Sequence, residues 1–265
     1  MNEILLLNKQ VGETPLACME RFRDTHPEYQ GVKMTYAGRL DPIASGLLIV
    51  LTGDKVHEKE AYLGLPKTYE CTALLGVATD TYDVLGIPVG DPLLEEERVQ
   101  VETCAKQAAG GRVRLELETF IGTFQQAYPP YSSKTVDGKQ LHQIARSGDI
   151  EGVEIPSRLV TVYEVGEVEV RRISRSEIRR QITDTVSRVT GDFRQDEIIN
   201  VWDRLLQEEV GEDYGLVSFT IAVSSGTYIR SIVNSLGEKI GSGACILKLH
   251  RTKVGDFKET NVDKS

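Results

Sequence analysis

The most informative stretch of the sequence is YAGRLDPIASGLLIVLTG, which runs from Tyr36 to Gly53. Within it Asp41 precedes Pro42, and a residue before proline is disfavoured in the helical region of backbone space. The apolar run Leu47–Leu51 follows and predicts a buried strand. The stretch therefore predicts a carboxylate on a stiff loop backed by a strand, a setting suited to a nucleophile or a general base. Because a loop aspartate is more often a capping or turn residue, both interpretations stay open on this stretch alone.

Outward from this stretch, apolar runs predict strands and helical spacing of apolar residues predicts helices. The predicted strands are Ile4–Leu7, Leu47–Leu51, Thr68–Leu75, Leu159–Val170, Leu216–Val223 and Ile246–Phe257. The predicted helices are Pro15–Arg23, Glu95–Ala109, Gly138–Arg146, Tyr228–Ile240 and two whose apolar faces carry Ile178, Ile182, Val186 and Val189, and Ile198, Ile199, Trp202, Leu205 and Leu206. Since the order shows no steady βαβ rhythm, the predicted fold class is α+β, with a mixed, mainly antiparallel sheet flanked by helices.

Composition narrows the possible classes of protein. A chain of 265 residues with 40% hydrophobic residues can bury a sizeable core. Its net charge of −9 argues against a nucleic-acid partner, because phosphates must be met by Lys and Arg. A local basic patch can outweigh the net charge, however, so the distribution of the basic residues matters more.

The cysteines and histidines show no metal-ligand spacing. Cys18, Cys71, Cys104 and Cys245 form no CxxC pair, and the four histidines are scattered, so neither a metal site nor a redox motif is predicted. Free thiols suit a reducing compartment, the N-terminal residues lack the pattern of a signal peptide, and the apolar runs are too short to span a membrane. The sequence therefore predicts a cytoplasmic protein.

A second informative segment is SSGTYIRSIVNSLGEKIGSGACILKLHR, from Ser224 to Arg251. A predicted strand ends just before it, and a predicted helix begins within it, so that Arg230 falls in the first helical turn. Unpaired N–H groups at a helix N-terminus attract anions, and a guanidinium can form two parallel hydrogen bonds to one carboxylate or phosphate. A surface arginine on an amphipathic helix explains the same pattern, so the segment alone does not decide between them.

A third feature is the arginine cluster VRRISRSEIRR, from Val170 to Arg180. If this segment is helical, Arg171, Arg175 and Arg179 fall on one stripe and can follow a phosphate backbone. We therefore treat these three as candidate RNA-binding residues. The alternative is a solvated helix face without a ligand.

Several motifs together resemble the TruB family of tRNA pseudouridine synthases. In chain order they are LLLNKQVGET, YAGRLDPIASGLL, KTYECTALLGVATDTYDVLG, QAYPPYSSKTVDGKQLHQIARSG, SSGTYIRS and GSGACILKLHRTKVGDF. The match extends from about Leu5 to Phe257, and the order and spacing of the motifs are far more specific than any single one. The resemblance implies the pseudouridine synthase fold and a cofactor-free isomerisation of uridine in the T loop of tRNA, at position 55.

The resemblance also implies roles for individual residues. Asp41 matches the catalytic aspartate, Tyr69 the tyrosine that packs against the flipped base, and Arg230 the arginine that pairs with the aspartate. Residues expected to bind the substrate are Tyr36, Arg39, Lys67, Lys134, Leu249 and Arg251. Tyr36 departs from the family, because bacterial members usually have a histidine there.

The expected organisation is one catalytic domain over residues 1–265, with an unusual, helical insertion at about 171–211 and no C-terminal PUA domain. The expected partner is the T arm of tRNA, with no membrane contact, no metal and no obligatory protein partner. Three alternatives stay open. The first is the same chemistry on another RNA site, and the second is a non-catalytic module that binds or folds tRNA. The third, which the expected lack of a PUA domain disfavours, is a structural subunit of a guide-RNA complex.

Overall fold

The computed structural model describes residues 2–89, 111–206 and 213–261. Its strands are β1 Ile4–Lys9, β2 Met34–Ala37, β3 Ala44–Thr52, β4 Lys67–Leu75, β5 Gly122–Ala127, β6 Thr135–Val136, β7 Lys139–Gln140, β8 Ser157–Ile173, β9 Tyr214–Val223, β10 Ala244–Val254 and β11 Phe257–Lys258. Its α-helices are α1 Pro15–Thr25, α2 Lys59–Leu63, α3 Arg112–Glu118, α4 Leu141–Ser147, α5 Arg175–Ser187, α6 Gln195–Leu206 and α7 Ile229–Ile240. The predicted helix Glu95–Ala109 lies outside the described residues.

A mixed sheet of nine strands forms the centre of the described structure, in the order β1-β3-β10-β4-β9-β8-β5. Strand β2 extends it beside β3, and β11 beside β10. Among the strand pairs of the described ranges, β3 and β10 run parallel and the others run antiparallel. The predicted α+β class, with a mixed and mainly antiparallel sheet, is confirmed.

The largest hydrophobic core lies between the middle of the sheet and the helices α3, α5, α6 and α7. Apolar residues of α5 and α6 are buried at the predicted spacing, including Ile178, Ile182 and Trp202. A smaller core lies under α1, which begins as predicted, with Pro15 in its first turn and the Thr14 side chain accepting from the amide of Ala17.

Two details of the sequence prediction are wrong. The segment Gly138–Arg146 is not one helix. A short hairpin of the strands β6 and β7, with two residues in each strand, comes first, and the helix begins only at Leu141. Arg171 does not share a helical stripe with Arg175 and Arg179. It lies near the end of the long strand β8, where it pairs with Leu216 of β9, and α5 begins only at Arg175.

Candidate active site

Asp41 lies in the short loop between β2 and β3, as predicted. The backbone holds this loop at two points, since the amide of Ala44 donates to the Asp41 carbonyl at 3.0 Å and the amide of Gly12 donates to the Pro42 carbonyl at 2.8 Å. Strand β3 continues from the loop through the buried centre of the sheet. The loop is therefore fixed at its base, while a third of the Asp41 side chain stays exposed.

Lys9, at the end of β1, is a fully buried residue that the sequence reasoning did not single out. Its ammonium group donates to the carbonyls of Ala44, at 2.5 Å, and Gln10, at 2.9 Å. Burial lowers the Lys9 pKa to about 8, with the carboxylate of Glu13 acting in the opposite direction. Lys9 therefore ties the start of the chain to the end of the Asp41 loop.

Two basic residues predicted to bind the substrate point into the protein instead. Arg251 is 1% exposed, and its guanidinium donates to the carbonyls of Leu47 at 2.8 Å and Gly38 at 3.0 Å. Lys67 is 5% exposed and donates to the carbonyls of Leu63 and Leu65. Both groups therefore hold the backbone around the site, and their role in binding the substrate stays a prediction.

The guanidinium of Arg230 organises the centre of the site. Arg230 lies in the first turn of α7, as predicted, and its Nε donates to the Asp41 carboxylate at 2.8 Å. Its other two nitrogens donate to the carbonyls of Thr81, at 2.6 Å, and Tyr131, at 3.3 Å. With its side chain only 4% exposed, Arg230 has a fixed orientation and presents a constant positive charge to Asp41.

Asp83 is a second carboxylate beside the same guanidinium, and the sequence reasoning did not single it out. Its oxygen lies 3.6 Å from Arg230 Nε, and its other oxygen accepts from the Thr81 hydroxyl at 2.7 Å and the Leu85 amide at 3.0 Å. Burial raises the Asp83 pKa to about 6, although the charge of Arg230 acts to lower it. The only sequence signal was its place in the ATDTYDVLG motif.

An apolar wall lies next to these charges. Tyr69 on β4 and Leu249 on β10 are both almost buried, and they belong to the same core cluster as Leu40 and Ile43, which flank Asp41 in the sequence. Strand β10 pairs with β4 through Leu249 and Cys71. Because Leu249 also pairs with Ala44 of β3, Leu249 lies at the end of the Asp41 loop, and Tyr69 lies on the neighbouring strand.

An aromatic pair extends from the arginine towards the chain segment that holds Lys134. The Arg230 guanidinium lies 5.9 Å from the centre of the Tyr228 ring, which meets the Tyr128 ring edge-on, and the Lys134 ammonium lies 5.3 Å from the centre of the Tyr128 ring. Burial, and then the charge of Asp41, raise the Tyr228 pKa. Lys134 is thus near the site, although it is not in direct contact with Asp41.

The two remaining predicted binding residues lie on the approach to Asp41. Arg39 is exposed and makes no ion pair or hydrogen bond within the described part of the chain. Tyr36 on β2 is half-buried, with the Lys59 ammonium 5.4 Å from the centre of its ring. Neither side chain is fully buried, and their role in binding the substrate stays a prediction.

The arginine cluster of the sequence is divided by the fold. Arg171 is exposed at the end of β8. Arg179 forms an ion pair with Asp203 of α6 at 2.7 Å. Arg175 lies over the ring of Tyr214 and donates to the Leu205 carbonyl. The three arginines therefore do not form one continuous basic stripe.

Comparison with known proteins agrees with this geometry. Residues 28–187, more than half of the chain, match the family model described as TruB family pseudouridylate synthase, N-terminal domain. The chain belongs to the TruB family. A tRNA pseudouridine synthase B from Geobacillus thermodenitrificans is 31% identical over 258 residues, covering 97% of this chain and 68% of the relative. Another from Aquifex aeolicus is 27% identical, covering 97% of this chain and 70% of the relative.

Solved structures show the same fold. A chain of a Cbf5–Nop10–Gar1 complex superposes with a TM-score of 0.52 at 21% identity, and the match covers 97% of this chain. A chain of an H/ACA RNP bound to a substrate RNA superposes with a TM-score of 0.50 at 20% identity. This chain spans about half the length of those two chains, at 50% and 48%. At this identity the likeness establishes the pseudouridine synthase fold alone.

Within residues 2–89, 111–206 and 213–261, no group of three or more His, Cys, Asp and Glu side chains is arranged to hold a metal ion. In the same ranges, no helix has the length and apolar character needed to cross a bilayer. The described cysteines, Cys18, Cys71 and Cys245, are free and buried.

Proposed function

We propose that this protein isomerises uridine to pseudouridine in tRNA, at position 55 of the T loop, and that Asp41 is its catalytic carboxylate. The observation that carries the proposal is the pairing of an accessible carboxylate with a buried arginine. Arg230 holds Asp41 at 2.8 Å, and Leu249 pairs with Ala44 at the end of the loop, with Tyr69 on the next strand. Membership of the TruB family, and its relatives named tRNA pseudouridine synthase B, support the substrate class.

The proposed chemistry needs a uridine that has left its stack. A base inside a folded RNA loop must be flipped out before its glycosidic bond can be reached, and the flipped base then needs an aromatic or apolar surface. Tyr69 and Leu249 supply that surface in the proposal. Arg39, Tyr36 and Lys134 are proposed to contact the RNA around the flipped nucleotide, because Arg39 is exposed and the other two are only partly buried.

The reaction is an isomerisation and balances without a co-reactant. The bond between C1′ and N1 breaks, the base rotates, and a bond forms between C1′ and C5. N1 gains a proton and C5 loses its own. Asp41 either attacks the sugar or removes a sugar proton, and either route needs an ionised carboxylate, which a neighbouring guanidinium stabilises. The Tyr69 hydroxyl is proposed to assist the removal of the C5 proton.

Loss of the C5 hydrogen provides a direct assay. The purified chain alone should release tritium to water from an unmodified tRNA transcript that carries tritium at C5 of uridine. Pseudouridine mapping of the product should give one site, in the T loop. Replacement of U55 by cytidine in the transcript is the matched control and should abolish release. Turnover without any added protein would also support the proposal that no obligatory protein partner is needed.

Each other outcome contradicts a defined part of the proposal. Release from the U55-substituted transcript would mean a different target uridine. Tight tRNA binding without any release would favour the non-catalytic binding module. We also propose a cytoplasmic location, on the basis of the free thiols, and fractionation of cells producing the tagged protein would test it.

A further inference from the structure

Arg194 is an arginine outside the family motifs, in the linker that joins α5 to α6 within the predicted insertion. Its backbone is left-handed, with φ of 61°, a conformation that arginine rarely adopts and glycine adopts freely. Its carbonyl accepts from the amide of Ile198 at 2.9 Å, so the residue also begins α6. An unfavourable backbone conformation at a helix start suggests that the side chain is needed where it lies.

The Arg194 side chain joins two segments that are distant in sequence. Its guanidinium forms an ion pair with Asp80 at 2.9 Å and lies 5.0 Å from the centre of the Tyr131 ring. Burial, and then the negative charge of Asp80, raise the pKa of Tyr131. Arg194 therefore contacts both of the other members of this cluster. Only a quarter of the Arg194 and Asp80 side chains is exposed, so solvent screens the pair less than a surface ion pair.

Both segments bind the arginine of the candidate active site. Asp80 immediately precedes Thr81, whose carbonyl accepts from Arg230 at 2.6 Å. The carbonyl of Tyr131 accepts from the same guanidinium at 3.3 Å. Arg194 therefore holds together the two backbone segments that fix the orientation of Arg230, and Arg230 in turn holds Asp41.

The two segments that bind Arg230 are not closely packed on all sides, so their contacts with Arg194 matter more for their position. A pocket of about 560 Å³ that opens to solvent is lined by Thr79, Asp80, Tyr82, Pro130 and Tyr131, among others. On that side the two segments are therefore not supported by close-packed side chains. The far end of the first segment is fixed by the same pair of helices, because the Trp202 indole donates to the Gly86 carbonyl at 3.1 Å.

We propose that Arg194 is a positioning residue for the pseudouridine-forming reaction, acting through Asp80 and Tyr131 on Arg230. The inference rests on the proposed function. It assigns the α5–α6 hairpin a role in the chemical step rather than in RNA docking. Since the contact is with residues of the protein, loss of Arg194 should lower the rate of the reaction and leave the affinity for tRNA unchanged.

Arg194→Gly is the informative variant, because glycine accepts a φ of 61° without strain while the side chain is removed. We expect its single-turnover rate constant at saturating tRNA to fall by about 10- to 100-fold, the size of effect that misplacement of a catalytic group produces. The dissociation constant for tRNA should stay within about twofold, and the melting temperature should not fall.

Two further variants sharpen the test. Arg194→Lys keeps the charge beside Asp80 but loses the planar group over Tyr131, so it should recover part of the rate. Arg188→Ala is the matched control, because Arg188 lies in the same linker and forms an exposed ion pair with Asp184. It should behave as the wild type.

The outcomes separate this inference from the proposed function. A wild-type rate in Arg194→Gly would overturn the positioning role, and a parallel loss of tRNA affinity would show that Arg194 contacts RNA instead. If the wild-type chain itself converts no uridine, the proposed function fails. The bridge can still be measured by amide hydrogen exchange, which should be faster around Thr81 and Tyr131 in Arg194→Gly. Unchanged exchange there would overturn the bridge itself.

Discussion

Two loops meet at the guanidinium of Arg230 and present it with carboxylates in opposite surroundings. Asp41, between β2 and β3, lies 2.8 Å from the guanidinium and is one-third exposed. Asp83, after β4, lies 3.6 Å from it and is 6% exposed. Only the first can touch a substrate, while the second lies behind the arginine. If Asp41 is the catalytic carboxylate, as proposed, its exposure is the property that sets it apart from Asp83.

The largest effect should come from the exposed carboxylate. Asp41→Asn keeps the shape of the side chain but cannot serve as nucleophile or base, so we expect turnover to fall by at least about 10⁴-fold. Binding of tRNA should change by no more than a few-fold. Single-turnover kinetics measure both quantities. A rate near that of the wild type would show that Asp41 takes no part in the mechanism. The proposed difference in role between Asp41 and Asp83 would then be wrong.

The apolar wall should give the next largest effect. Tyr69→Phe keeps the ring that packs against the flipped base but lacks the hydroxyl, so proton removal should slow by about 10²-fold or more while RNA still binds. Tyr69→Leu should weaken binding as well, because a stacked base is worth about 1–3 kcal/mol. Identical rate constants and affinities for the two variants would show that the hydroxyl has no separate role.

The buried carboxylate should matter less to the rate. Asp83→Asn removes one of the two negative charges beside Arg230 but leaves the Asp41 contact, so we expect a loss of about 10- to 100-fold at saturating tRNA. The same assay measures it. A loss as large as that of Asp41→Asn would mean that both carboxylates take part in the chemistry, and exposure would then fail as the distinguishing property.

The Asp83 pKa of about 6 also makes a prediction about stability. This pKa lies above that of an unfolded aspartate, near 3.9, so the folded state binds the proton more tightly. The contribution to stability is fully present below pH 4 and is lost as the pH rises through about 6. The stability deficit of Asp83→Asn relative to wild type should therefore shrink between pH 4 and 6, in thermal or urea melts. A deficit that is constant with pH would contradict the raised pKa.

What the sequence predicted follows from local patterns. The central strands and the helix carrying Arg230 were predicted within a few residues, because apolar runs and capping residues fix such elements locally. The pairing of Arg230 with Asp41 came from the family motifs, and the structure contains it. Asp83 and Lys9 were missed, since burial of a charged residue depends on contacts between segments far apart in sequence.

The prediction of one helical stripe of arginines was wrong, and the sequence itself contained a signal against it. Ser174 and Glu177 have the spacing of a helix start, and the Ser174 hydroxyl accepts from the Glu177 amide at 3.3 Å. A helix beginning there excludes Arg171, which continues strand β8. Helical spacing alone did not reveal this boundary.

We expect the smallest effect from Arg171 and Arg179, where an exposed charge can again be compared with a paired one. Arg171 is exposed, with no ion pair in the described part of the chain, whereas Arg179 is bound by Asp203. One phosphate contact contributes a little under one unit to the slope of log affinity for tRNA against log salt. If the exposed arginine contacts the backbone of tRNA, Arg171→Gln should flatten that slope by about one unit. Arg179→Gln should change it less, because its charge is already neutralised by a neighbour.

Binding titrations at several salt concentrations measure both slopes, and the two variants serve as controls for each other. Turnover at saturating tRNA should stay unchanged in both, since neither residue contacts Asp41 or Arg230. A larger change in Arg179→Gln would mean that the ion pair with Asp203 opens when RNA binds, so that exposure in the free protein does not identify the RNA contacts. Unchanged slopes in both variants, with intact circular dichroism spectra, would assign these arginines to a solvated surface. The exposed Arg39 beside the Asp41 loop would then be the next residue to test, because it too makes no ion pair within the described ranges.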